Sequence, residues 1–149
     1  MHKWTTDVAA LLLRLTAGLI FLPHGMAKVF GSGGVAAFAS DLPSYHIPLF
    51  LGYVAAYAEL AGGALLIIGL LTRVDAFLLA CTMFVAAFVV ILPDALQDTP
   101  TFGSVMKAIE LPLSLFAVNV ALALMGPGRL SLDHLIWRKR RAAAVSATS

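Results

Sequence analysis

The sequence predicts an all-α membrane protein, a bundle of four transmembrane helices with both termini in the cytoplasm. The first observation behind this prediction is composition. The 149 residues are 60% hydrophobic and only 12% charged, with a mean hydropathy of +0.93, whereas soluble domains are closer to half apolar and a quarter charged. The second observation is length, because a bilayer crossing needs about 20 apolar residues and this chain contains four such segments.

The first predicted span runs from Val8 to Val29 and contains Arg14, His24 and Lys28. Charged side chains in an apolar span are costly, so they usually face a protein interior, have partners and mark a functional region. Helical spacing places five residues on one stripe of this span, namely Arg14, Gly18, Phe21, Gly25 and Lys28. The two glycines of this stripe are expected to let a neighbouring helix pack closely against it.

The second predicted span covers Leu49 to Leu71. It follows a connection that begins with the flexible turn GSGG at residues 31–34 and continues as a short surface helix over residues 35–42. Gly62 and Gly63 share a broad face of this span with Glu59. This pattern predicts a tightly packed inner face that contains one carboxylate.

The third predicted span, Ala76 to Leu92, follows a very short turn at residues 71–75, so spans two and three should form an antiparallel hairpin. Its one cysteine, Cys81, is expected to be a buried small side chain. A single cysteine excludes an internal disulfide, a CxxC redox pair and an iron–sulfur cluster built from this chain alone.

The fourth predicted span covers Met106 to Met125, and Glu110 shares a face with small residues there. We expect that face to point inward and Asn119 to point away from it. A short amphipathic helix, capped by Ser131, is expected over residues 130–137. Residues 1–137 are therefore predicted to form one transmembrane domain, and residues 138–149 a basic, disordered cytoplasmic tail.

Basic residues favour a cytoplasmic location for both termini. Lys3, Arg73, Arg129 and the cluster at residues 138–141 all fall on the side of the termini, whereas the two loops on the other side contain acidic residues. The tail should contact anionic membrane lipids, and this interpretation is favoured over nucleic-acid binding.

Depth in the bilayer suggests how the charges pair. Counting residues along each span predicts that Arg14 reaches Glu59, while His24 and Lys28 meet Glu110 in the outer half of the membrane. One interpretation is a charge network that only fixes helix register. The other is a polar pocket for a lipid-like ligand, for which a quinone is the expected candidate. No covalently bound cofactor is expected, and too few ligating side chains converge for a metal site.

An ordered set of residues resembles the DoxX family of small bacterial integral membrane proteins. The set comprises Arg14, Phe21, His24-Gly25, Lys28, Glu59, Gly62-Gly63, Gly69, Thr72-Arg73, Glu110, Gly126-Pro127-Gly128-Arg129 and Ser131-Leu132-Asp133. The resemblance covers about residues 8–134. It implies a multi-pass protein of the bacterial inner membrane, associated with respiratory sulfur chemistry or with oxidoreductase assemblies that act in oxidative stress.

Two functions therefore stay open at the level of sequence. The first is a quinone-interacting subunit of a membrane oxidoreductase system, with the pocket lined by the charged residues of the spans. The alternative is a non-catalytic membrane anchor or scaffold for a partner enzyme. The sequence fixes neither an enzymatic activity of its own nor the substrate, and it leaves a homo-oligomer open.

Overall fold

A computed structural model describes residues 2–97 and 100–138 of the chain. Four of its helices are long and apolar enough to cross a membrane, and they are His2–Phe30, Leu49–Ile68, Thr72–Ala95 and Phe102–Met125. No strand occurs within the described ranges. The predicted class of a four-helix, all-α membrane protein is thus confirmed, while the cytoplasmic location of the termini stays a prediction.

The four spans form two closely packed pairs. The first span packs mainly on the second and the third mainly on the fourth, while the first and fourth spans touch over a smaller region. We call the end of the bundle that holds Asp7, the turn at residues 69–71 and residues 126–138 the terminal end. The opposite end, with residues 31–48, 96–97 and 100–101, is the loop end.

Glycines bring the first two spans into backbone contact. A Cβ added at Gly18 would lie 2.7 Å from the Gly63 carbonyl oxygen, and one added at Gly63 would lie 2.7 Å from the Leu22 backbone nitrogen. A Cβ added at Gly25 would overlap the backbone of Leu60. Since small residues allow this close approach, van der Waals packing can hold the two helices together in lipid.

The third span starts four residues before its predicted beginning. Gly69, with φ +71°, ends the second span, and Asp133 accepts hydrogen bonds from the Leu71 and Thr72 backbone nitrogens at 2.8 and 2.9 Å. A carboxylate that accepts hydrogen bonds from the free amides at a helix start stabilises the helix. Capping by the distant Asp133 therefore extends the third span to include residues 72–75. Further along, the span contains a π-helical segment, Ala86–Ile91.

Two shorter helices agree with their predictions. Gly34–Ser40 forms the helix expected after the GSGG turn, and its Ala39 is buried. Residues 132–138 are helical, and the Ser131 Oγ accepts a hydrogen bond from the His134 backbone nitrogen at 3.2 Å, so Ser131 caps this helix as predicted. Apart from Arg138, which continues the helix, the predicted tail of residues 138–149 lies outside the described residues.

Candidate functional site

An ion pair joins the first and second spans near the loop end. The Lys28 Nζ lies 2.6 Å from both Oε1 and Oε2 of Glu59. Glu59 is 2% exposed, while Lys28 is half-buried and its Nζ also lies 4.6 Å from the centroid of the Phe38 ring. Burial strengthens the attraction between the two charges, and pairing offsets the cost of removing them from water.

The glycine contact explains why these two residues meet. Gly25 packs directly on Leu60. Lys28 follows Gly25 by three residues, and Glu59 precedes Leu60 by one, so antiparallel packing places both side chains at the same level.

A cavity of about 440 Å³ adjoins the ion pair. Its walls come from the short helix Gly34–Ser40 and the segment after it, from the second span, and from the third span. Lys28 and Glu59 supply the charged groups of a lining that is otherwise almost entirely apolar. Val54 and Leu78, which are 55% and 51% exposed, also line it, so the cavity opens sideways to lipid between spans two and three.

The wall from the third span includes Cys81 and Thr82 and part of the π-helical segment. The expectation that Cys81 is buried is wrong, because it is exposed where it lines the cavity. Short π-helical stretches in α-helices occur frequently at functional sites, because they shift the side chains of one face. Here the segment contributes Ala86, Val90 and Ile91 to the cavity.

The predicted pairing of Arg14 with Glu59 is wrong. Arg14 is 0% exposed and lies at the terminal end, where its Nη2 donates a hydrogen bond to the Leu130 carbonyl oxygen. A Cβ added at Gly69 would overlap its guanidinium group. The acidic side chain that acts electrostatically on Arg14 is Asp133.

The predicted pairing of His24 and Lys28 with Glu110 is also wrong. His24 and Glu110 are both exposed, and Glu110 has no hydrogen-bond or ion-pair partner among the described residues. The His24 Nδ1 lies 2.8 Å from the Ile20 carbonyl oxygen of the same helix. The physical reason is rotation, because the fourth span buries the opposite face, including Asn119, and turns Glu110 outward.

Of the predicted packing residues, Gly18, Gly25 and Gly63 lie at the contact between spans one and two, as described above. Gly62 faces the third span instead, since an added Cβ would lie 2.6 Å from the Asp75 Oδ1. Among the described residues, no group of three His, Cys, Asp or Glu side chains could hold a metal ion.

Sequence reasoning missed a set of contacts that we call the terminal latch. It consists of Arg14 on the Leu130 carbonyl, Asp133 on the amides that open the third span, and Asp7 with Arg129. The Arg129 backbone nitrogen donates to the Asp7 Oδ1 at 2.8 Å, and the Arg129 Nε lies 3.7 Å from the Asp7 Oδ2. The latch ties the segment after the fourth span to the starts of the first and third.

Four antiparallel spans, a buried ion pair and a cavity open to lipid define a small polytopic α-helical membrane protein. The DoxX family model matches residues 9–92, more than half of the chain, and the protein therefore belongs to the DoxX family.

Named relatives agree with this membership. The chain is 34% identical to the "Putative oxidoreductase CatD" of Bacillus subtilis (strain 168), over 95% of this chain and 96% of that protein. It is 26% identical to the "Inner membrane protein YqjF" of Escherichia coli (strain K12), over 92% and 98% of the two chains. It is 30% identical to the "Uncharacterized membrane protein Rv3486" of Mycobacterium tuberculosis (strain ATCC 25618 / H37Rv), over 87% and 82%. No solved structure matches the chain with statistical significance.

Proposed function

We propose that this protein is a quinone-interacting subunit of a membrane oxidoreductase system in the bacterial inner membrane. The observation that carries the proposal is the Lys28–Glu59 ion pair at an apolar cavity open to lipid. A quinone has matching chemistry, since its ring carbonyl oxygens accept hydrogen bonds and its tail resides in the bilayer. The cavity volume of about 440 Å³ is within the usual range for small-molecule pockets, about 300–1,000 Å³.

The donors of the ion pair favour a neutral ligand. An ammonium group has three N–H donors, and two of those on Lys28 are engaged by the carboxylate oxygens of Glu59. The third can donate to a ring carbonyl. Because Glu59 already balances the charge of Lys28, an anionic ligand would leave excess negative charge in an apolar site, which is costly. In this proposal the electrons come from the partner oxidoreductase, and Lys28 holds and polarises the ring oxygen.

The names of two relatives support the oxidoreductase setting and the location. One relative is named as a putative oxidoreductase and another as an inner membrane protein. The respiratory sulfur or oxidative-stress context comes from the family resemblance and is part of the proposal.

Photoaffinity labelling tests the proposal. A short-chain quinone with a photoreactive tail is added to the protein in liposomes, and labelled peptides are mapped. We expect labelling on both sides of the cavity, in residues 54–59 and 78–90. Ala58→Phe fills the cavity and should lower this labelling several-fold, while Ala64→Phe, at an exposed position of the same helix, should not. Labelling that excess unlabelled quinone does not reduce would refute the proposal.

The alternative function is a non-catalytic anchor or scaffold for a partner enzyme. The observation that favours it is that Lys28 and Glu59 satisfy each other without a ligand, so the pair also fixes the first span on the second. In that case Lys28→Met should reduce folding or assembly with the partner enzyme. Quinone labelling should then be the same in Ala58→Phe and Ala64→Phe.

A further inference from the structure

The fourth span presents a polar and small-residue face to lipid. Glu110, Ser114 and Ala117 are exposed, and Ala121 is half-buried. At about 100° per residue these four positions fall within an arc of about 60°. The opposite face of the same helix is the buried one, and it comprises Ile109, Pro112, Leu115, Asn119 and Leu122.

Glu110 lies too deep in the membrane to reach water easily. It is eight residues from the start of the span at Phe102, or about 12 Å along the axis. A span of 24 residues is about 36 Å long, which leaves only a few ångströms outside a hydrocarbon core of about 30 Å. Within the described part of the chain Glu110 has no partner, and intramembrane carboxylates normally have one.

Lys107 provides an opposite charge on the same exposed side. It is exposed and, among the described residues, also has no ion-pair partner. It precedes Glu110 by three residues, so the two side chains differ by about 60° around the helix axis. Lys107 therefore lies on one side of the line through Ser114 and Ala121, and Glu110 lies on the other.

We propose that two copies of this protein associate in the membrane through the fourth span, with Glu110 of each copy paired to Lys107 of the other. All copies insert in the same orientation, so a two-fold axis along the membrane normal sets two fourth spans side by side and parallel. Such an axis places the Lys107 side of one helix against the Glu110 side of the other. The surface is thus complementary to itself in charge, and small Ser114, Ala117 and Ala121 let the two helices approach closely.

Disulfide cross-linking in native membranes tests the contact. Cys81 is the chain's single cysteine, so Cys81→Ser gives a background without thiols. Ser114→Cys in this background should form a covalent dimer in most molecules after copper–phenanthroline oxidation. The matched control is Leu19→Cys, an exposed position at similar depth on the first span, which should stay mostly monomeric.

Charge exchange tests the pairing separately. Glu110→Lys and Lys107→Glu variants with different tags are co-expressed, so that only the mixed dimer places opposite charges together. We expect the two variants to co-purify at least several-fold more efficiently with each other than either does with a copy of itself. The proposal requires both results. The proposal is overturned if Ser114→Cys cross-links no better than Leu19→Cys, or if the mixed dimer is not preferred. It is also overturned if the fourth span is covered only by lipid or by a different protein.

Discussion

The Lys28–Glu59 pair should contribute to stability mainly because each charge would be costly to bury alone. Lys28→Met removes the cation and leaves Glu59, 2% exposed, without its partner. Breaking a buried ion pair in this way costs about 3–5 kcal/mol. Glu59→Met should cost less, since Lys28 is only half-buried near the loop end and its flexible side chain can reach toward the headgroups.

The double variant, with Met at positions 28 and 59, tests whether the two charges stabilise the protein as a pair. With Met at both positions, no unpaired charge remains, and replacing a buried pair by apolar residues of similar volume is often neutral or stabilising. We therefore expect the double variant to be close to the wild type and clearly more stable than Lys28→Met. The coupling energy from the double-mutant cycle should then nearly equal the summed costs of the two single variants, at least about 3 kcal/mol.

The assay is equilibrium unfolding in mixed micelles, in which the fraction of a denaturing detergent is raised and helix content is followed by circular dichroism. His24→Met is the matched control, because His24 is an exposed residue one turn earlier on the same helix. Its effect should stay within about 0.5 kcal/mol. The reasoning is refuted if Lys28→Met is as mild as this control, or if the costs of the two single variants simply add in the double variant.

Three further predictions concern the two ends of the bundle. Gly69→Ala should destabilise the protein by more than about 1 kcal/mol, because φ is +71° there and the new Cβ would overlap Arg14. The unfolding midpoint in the same detergent titration measures this loss of stability. Asp133→Ala removes the capping carboxylate and should cost about 0.5–2 kcal/mol in that titration, with a gain in proteolysis after the fourth span. The phenol of Tyr45 donates a hydrogen bond to Asp94, which raises the pKa of Tyr45 because the carboxylate favours the neutral phenol. This hydrogen bond is present below the ordinary tyrosine pKa of about 10 and is lost as pH rises through the higher folded value. In Asp94→Asn the Tyr45 pKa should fall, as measured by absorbance of the phenolate near 295 nm, with Tyr45→Phe identifying the transition; an unchanged titration would contradict the contact.

The sequence predicted the four crossings because hydropathy and length depend only on local composition. The ends of the spans were less predictable. The third span gains residues 72–75 because Asp133, about sixty residues later, caps its first amides. The fourth span starts at Phe102, four residues before the predicted start, because Thr101 and Ser104 form a capping box. The first of these stabilising contacts comes from a distant part of the chain, so no local pattern of apolar residues could reveal it.

The ion pairs were predicted from depth alone, and depth does not fix how a helix is rotated. Depth assigns Lys28 to Glu110, yet it is Glu59 that lies on a helix face packed against the first span. A signal that distinguishes them was in the sequence. Gly18 and Gly25 on the first span and Gly63 on the second mark the faces that pack together, and the antiparallel register with Gly18 at Gly63 and Gly25 at Leu60 brings Lys28 to Glu59.

The residues that resemble the DoxX family fall into two groups, which have different structural roles. Arg14, Gly69, Thr72 and Asp133 belong to or adjoin the terminal latch, which joins the ends of three spans. None of these four residues lines the cavity beside Lys28 and Glu59. Their effects are therefore expected in stability. Lys28 and Glu59 lie toward the other end of the bundle.

Every residue that lines the cavity beside this ion pair falls between Lys28 and Ile91. This whole interval lies within residues 9–92, the part of the chain that matches the family model. The fourth span, with the outward-facing Glu110, lies beyond that match. Ligand binding should therefore depend on the first three spans, whereas changes at Glu110 should alter association between copies and leave quinone labelling of the cavity unchanged. A Glu110→Lys variant that loses both would show that the two regions are coupled and would contradict this separation.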